Sequence, residues 1–203
     1  MDQQRFVALC DRLHLSGVDA SYVRLVAAYR ESHRAYHDES HVDDCLSQLW
    51  GIRETIPNVD AIELSLWFHD AVYRPRASDN ERKSADWAVQ FISDCGPNET
   101  LSRDVDRLIM ATVHTAAPME PDAKWLVDID LSILGRAPER YDQFERGVRK
   151  EYAFVPNILF RRGRRKILQS FLDRDFIYHS EWFRSRFEEQ ARVNLTQAIS
   201  ALS

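Results

Sequence analysis

His41-Val42-Asp43-Asp44-Cys45-Leu46-Ser47-Gln48-Leu49 carries its apolar residues Val42, Cys45, Leu46 and Leu49 at i, i+3, i+4 and i+7. That spacing gathers four apolar side chains on one face of a 3.6-residue helix. The same period recurs outward along the chain. It is read in Phe6, Leu9, Cys10 and Leu13, in Ala85, Ala88, Val89 and Ile92, and in Val105, Leu108, Ile109 and Thr112. It returns in Tyr141, Phe144, Val148 and Tyr152, and in Phe183, Phe187, Ala191, Leu195, Ala198 and Leu202. No stretch shows a convincing alternation of period two. Stops fall at Pro57-Asn58, Arg74-Pro75-Arg76, Cys95-Gly96-Pro97 and Gly135-Arg136-Ala137-Pro138, where glycine and proline interrupt the helical pattern. The spacing predicts an all-α fold of about nine or ten helices. Six glycines and seven prolines are spread thinly over 203 residues, without a linker, an internal repeat or a low-complexity tract. Residues 1–203 are therefore expected to form a single compact helical bundle.

The totals narrow the class. A hydrophobic content of 44% over this length is enough to build a core. A net charge of −5 argues against a general nucleic-acid binder, which carries a basic excess. No apolar run approaches the roughly 18 residues needed to cross a bilayer, so no membrane partner is expected. Met1-Asp2-Gln3-Gln4-Arg5 does not read as a signal peptide. Cys10, Cys45 and Cys95 are odd in number, far apart and free of a Cys-x-x-Cys pattern. They read as reduced core residues, and the expected location is the cytoplasm.

Chemistry concentrates at Leu64-Ser65-Leu66-Trp67-Phe68-His69-Asp70-Ala71-Val72-Tyr73. A carboxylate at the end of so apolar a run loses several kcal/mol of hydration unless a partner or a cation compensates. His41 lies upstream and Asp128-Ile129-Asp130 downstream, both among apolar residues. Two imidazoles and two carboxylates from three segments can close around one divalent metal. The alternatives are a hydrogen-bonded His-Asp pair, and an Asp128 or Asp130 that caps a helix or meets an arginine. Adjacent side chains on a helix diverge by ~100°, so His69 and Asp70 share an ion best near a helix end. The Tyr73-Arg74-Pro75 break supplies one. There is no Gly-x-Ser-x-Gly elbow, no phosphate loop and no Gly-x-Gly-x-x-Gly, so phosphoryl chemistry would run through metal and arginine.

His41, His69-Asp70 and a late aspartate, in that order, resemble the H…HD…D signature of the HD-domain metal-dependent phosphohydrolases. The likeness is nearer to a bacterial subgroup of predicted HD phosphohydrolases. It extends through residues 34–42, 63–70, 79–85, 128–135 and 149–152, from about Arg34 to Asn194. The resemblance implies an all-α fold with His41, His69, Asp70 and Asp130 as metal ligands, Asp128 being the alternative to Asp130. It implies a metal-dependent phosphohydrolase acting on a phosphomonoester, such as a nucleotide or other small phosphorylated metabolite. Relatives with two metals carry further histidines between the doublet and the last aspartate, whereas only His114 lies there in this chain. One divalent ion is therefore expected, drawn from Mn, Mg, Co, Ni, Fe or Zn. The other readings are a non-catalytic ligand-binding protein of HD fold and an HD-type di-iron oxygenase.

Further residues are candidates around that centre. Glu81 either orients the attacking water or sits in a helix first turn beside a cap at Asp79 or Asn80. His37, four residues before His41, reads as a phosphate ligand, an acid to the leaving group, or a core histidine. Arg34 and Tyr36 adjoin it as substrate contacts, and His114 reads as a substrate contact or a core residue. Arg161-Arg162-Gly163-Arg164-Arg165-Lys166 packs five cations into six residues. Arg164 and Arg165 are the candidates there for binding a substrate phosphate.

Overall fold

The computed structural model describes residues 1–114 and 118–202. Among the described residues it holds ten α-helices and no strand, so the all-α expectation is met. The chain's contacts gather into two compact units, Met1–Leu126 and Val127–Ser203. The boundary lies inside a helix, so no linker composition marks it.

The first unit contains α1 (Gln3–Arg12), α2 (Asp19–Tyr29), α3 (Glu39–Ile52), α4 (Val59–Phe68), α5 (Asn80–Cys95), α6 (Glu99–Ala111) and the opening turns of α7 (Pro121–Asp130). α4 is its centre. Every residue from Ala61 to Phe68 is buried, and α1, α3, α5 and α6 pack around it. A helix apolar on all sides is stable only when enclosed in this way. Trp67 meets Phe6 edge-on with ring centroids 5.1 Å apart, and Phe68 meets Phe91 at 5.2 Å. The one charge on the buried stretch, Glu63, is matched by Arg5 at 2.6 Å and Arg12 at 3.0 Å. The proline and glycine stops fall where expected. Asn58 precedes α4 and Gly96 follows α5.

The second unit contains the end of α7, a 3₁₀ turn (Leu131–Gly135), α8 (Pro138–Glu151), α9 (Asn157–Leu172) and α10 (Glu181–Ala201). α10 lies along the 3₁₀ turn. Asn194 donates to the carbonyls of Leu134 and Arg136, both at 2.8 Å. Phe183 and Leu195 are fully buried, as the helical period of this segment predicts. Gly135 is required by close approach: a β-carbon there would lie 2.6 Å from both the β-carbon and the backbone oxygen of Phe187.

Candidate metal centre

Local capping sets the two histidines. Asp38 stands before α3 and its carboxylate accepts from the Ser40 backbone N–H at 2.8 Å, which starts the helix and leaves His41 buried in its first turn. His69 is the C-cap of α4. Its Nδ1 lies 2.9 Å from the Leu66 carbonyl. A carbonyl only accepts, so Nδ1 carries the proton and Nε2 presents its lone pair. The chain then turns out of the helix, with Ala71 N–H on the Phe68 carbonyl at 2.9 Å and Val72 N–H on Ser84 Oγ at 3.0 Å. Asp70 sits in that turn. The expected position of the doublet at a helix end is found.

Three candidate ligand atoms form a small triangle. His41 Nε2 is 3.1 Å from His69 Nε2 and 3.6 Å from Asp70 Oδ2, and His69 Nε2 is 3.3 Å from Asp70 Oδ2. With metal bonds of ~2.1 Å, neighbouring ligands lie about 3.0 Å apart in octahedral and about 3.4 Å apart in tetrahedral geometry. Two edges of the triangle fall in that range, and the third, between His41 Nε2 and Asp70 Oδ2, is slightly longer at 3.6 Å. The histidines are 3% and 1% exposed and the Asp70 side chain 17%, so the open direction lies on the carboxylate side. Burial works to raise the Asp70 pKa, but positive charge in this corner, placed on His69 first and then on His37 and His41, outweighs it and holds the carboxyl well below its usual range; a cation held by the neutral imidazoles would act in the same direction. The group is an anion beside two nitrogen donors, a set suited to a divalent ion of borderline softness.

Cys45, read from sequence as a core residue, lies beside this triangle with Sγ and the two histidine nitrogens gathered in one buried group. Its sulfur is 3.8 Å from both ring nitrogens of His41. Equal distances place it beside the ring and off the Nε2 lone-pair direction. An ion ~2.1 Å out along that lone pair would be about 4 Å from the sulfur, beyond a zinc–sulfur bond of ~2.3 Å. Cys45 thus packs against the His41 ring. Its i+4 spacing from His41 was the available sequence signal.

Arg34, expected at the substrate, is directed inward. Its side chain is fully buried and donates to the carbonyls of His37 at 2.7 Å, Asp70 at 2.8 Å and Ala71 at 3.0 Å. The guanidinium lies 5.0 Å from the Tyr29 ring centre and 5.6 Å from that of Tyr73, distances at which cation–π attraction operates. It ties the segment before α3 to the turn after α4, which together carry His41 and Asp70. A donor so fully used by backbone carbonyls is a positioning group. No sequence pattern reveals this, because two of the acceptors lie 36 and 37 residues away.

His37 precedes α3 and does not share its helical face, yet its ring lies 6.0 Å from that of His41 and stacks on Tyr73 at 4.2 Å. Tyr36 meets the His41 ring at 4.8 Å. Tyr36, His37 and Tyr73 thus form an aromatic wall beside His41. Glu81 stands half-buried in the first turn of α5, whose N-cap Asp79 makes no side-chain capping hydrogen bond. His114 follows α6, half-buried, with φ of 57°.

The remaining candidates belong to the second unit. Asp128 is fully buried and accepts from the backbone N–H groups of His179 and Ser180, both at 2.7 Å. Its carboxylate is committed to the start of α10. Burial pushes its pKa up to about 6 against those hydrogen bonds. Asp130 ends α7 and is half-buried. Arg164 is turned onto Glu145, at 2.7 and 3.1 Å, and over the Phe144 ring at 5.0 Å. Its fork is paired with a carboxylate of the chain. Arg165 is exposed on α9. No family model, no curated protein and no solved structure matches the chain.

Proposed function

We propose that the chain is a metal-dependent phosphohydrolase acting on a phosphomonoester, with a small phosphorylated metabolite such as a nucleotide as substrate. The observation that supports this reading is the triangle of His41 Nε2, His69 Nε2 and Asp70 Oδ2, with edges of 3.1, 3.3 and 3.6 Å. These residues would hold the ion, and Asp130 is proposed as the fourth ligand on the resemblance described above. A divalent ion bound there would polarise a phosphate oxygen and lower the pKa of a coordinated water.

The chain's own residues supply the rest. The Leu66 carbonyl keeps the His69 proton on Nδ1, so the ring stays oriented and its Nε2 stays basic. Arg34 holds the Asp70 and His37 carbonyls, so the aspartate and the aromatic wall keep one geometry. Tyr36, His37 and Tyr73 border the ligands, and His37 is assigned to donate a proton to the leaving oxygen. Glu81 is assigned to orient the attacking water.

Elemental analysis of the purified protein, followed by phosphate release from nucleotides and sugar phosphates with Mg²⁺, Mn²⁺, Co²⁺ and Ni²⁺, tests this. One equivalent of metal and metal-dependent release are expected. His69→Ala and Asp70→Asn should abolish both while leaving the circular dichroism spectrum unchanged. Glu81→Gln should lower kcat more than it raises KM, because its contribution grows in the transition state. Wild type that binds metal but releases phosphate from nothing would overturn the hydrolase reading in favour of a binding protein.

A further inference from the structure

Residues 152–172 hold five cations and no carboxylate, in a chain whose net charge is −5. Two of the cations are used within the fold. Arg164 pairs with Glu145, and Arg161 donates to the carbonyls of Leu202 and Ala201 at 3.1 and 3.3 Å. Arg162, Arg165 and Lys166 are exposed and, among the described residues, pair with no carboxylate. Taking Ile158 as 0° on the α9 axis, Leu159 lies at ~100°, Arg162 at ~40°, Arg165 at ~−20° and Lys166 at ~80°. The three cations therefore share one face with two aliphatic side chains. The buried residues Leu168 and Phe171 lie opposite, at ~280° and ~220°.

The apolar members of that face are strongly exposed. Ile158 is 81% accessible, Leu159 59%, and Phe154, just before the helix, 45%. Solvent disfavours such a cluster, and its neighbourhood to exposed cations is complementary to a surface both apolar and anionic. Beside the ridge lies a hollow of about 450 Å³ lined by Asn157, Ile158, Arg161, Arg162, Arg165 and Leu202. It is large enough for a phosphate-bearing headgroup and has guanidinium groups on its wall.

We propose that this face of α9 docks on an anionic lipid surface, with Phe154, Ile158 and Leu159 entering the headgroup–acyl boundary and Arg162, Arg165 and Lys166 meeting lipid phosphates and carboxylates. Interfacial helices combine these two residue classes, with apolar side chains entering ~5–10 Å. An acidic peptide would satisfy the cations, but consecutive aliphatic residues projecting from the first turn of a helix suit insertion into lipid better. The expectation of no membrane partner rested on the absence of a spanning segment. No helix among the described residues is long and apolar enough to cross a bilayer, but attachment to its surface requires none.

The test is co-sedimentation of the full chain with vesicles of phosphatidylcholine alone and of phosphatidylcholine with about a third phosphatidylserine. Binding is expected only to the second, and it should weaken as salt shortens the screening length. Each surface cation contributes about fivefold to partition, the equivalent of ~1 kcal/mol. Arg162→Gln with Arg165→Gln should therefore lower binding roughly 25-fold. Ile158→Ser with Leu159→Ser should lower it roughly tenfold or more at unchanged charge. All four positions are exposed, and circular dichroism verifies the fold of each variant. No binding to the anionic vesicles, equal binding to both vesicles, or either double variant binding like wild type would overturn the proposal. So would retention on immobilised polyglutamate without binding to vesicles.

Discussion

Arg34→Ala is the most informative perturbation of the candidate centre. It removes donors from three backbone carbonyls, at 2.7, 2.8 and 3.0 Å, and leaves a cavity between the Tyr29 and Tyr73 rings. A hydrogen bond from a charged donor contributes ~1.5–3 kcal/mol, and a buried acceptor left unpaired costs ~1–3 kcal/mol. Three such losses would exceed 5 kcal/mol if they were additive. Water entering the vacated space restores part, so the expected destabilisation is ~3–5 kcal/mol. For a chain of this length that corresponds to a drop in Tm of about 10 °C. Urea unfolding followed by far-ultraviolet circular dichroism measures it. Arg34→Lys keeps the charge but has no planar fork, so it should recover less than half the loss. The site should respond as well. At a temperature where Arg34→Ala is still folded, calorimetric titration with Mn²⁺ should show weaker binding than wild type, because the turn bearing Asp70 has lost its anchor. A variant within 1 kcal/mol of wild type and with unchanged Mn²⁺ affinity would refute the clamp.

Three other expectations follow from single contacts. Asp128→Asn keeps the shape but leaves only one oxygen for the two N–H groups of His179 and Ser180, so it should cost ~1–3 kcal/mol in urea unfolding; an unchanged midpoint would disprove the capping role. Gly135→Ala forces a β-carbon against the backbone of Phe187, and α10 must shift, at a cost of ~1–3 kcal/mol; a variant as stable as wild type would show that the helix yields freely. Burial, then Cys95 and Asp11, push the Cys10 thiol from 9.0 up to about 12. The folded state therefore holds a proton that the unfolded chain gives up. The stability it contributes is complete below pH 9 and is lost between pH 9 and 12, at ~1.4 kcal/mol per pH unit. Urea midpoints measured from pH 8 to 11 should fall in wild type and fall less in Cys10→Ala, and parallel curves would contradict the assignment.

Local physics made the helices legible from the sequence. The period of Val42, Cys45, Leu46 and Leu49 reports which face of α3 is buried, because burial and helical geometry act over a few residues. Asn58, Gly96 and Pro138 mark helix ends for the same reason. Thr112 and Tyr152, read as members of their helices, stand at the C-caps of α6 and α8, because side-chain pattern alone does not show where the last backbone bond closes. The residue types of the centre were also legible, since His69-Asp70 at the end of an apolar run is costly unless something compensates it. What each polar group does was decided by tertiary structure. Arg34, Asp128 and Arg164 each carry donors or acceptors suited to a phosphate or a metal, and each is satisfied instead by the protein, across separations of 36, 51 and 19 residues. Sequence determines which atoms a side chain brings. Only the folded chain determines which partner arrives first, because a hydrogen bond is satisfied by proximity in space, and local periodicity carries no information about which distant carbonyl or carboxylate will stand within 3 Å.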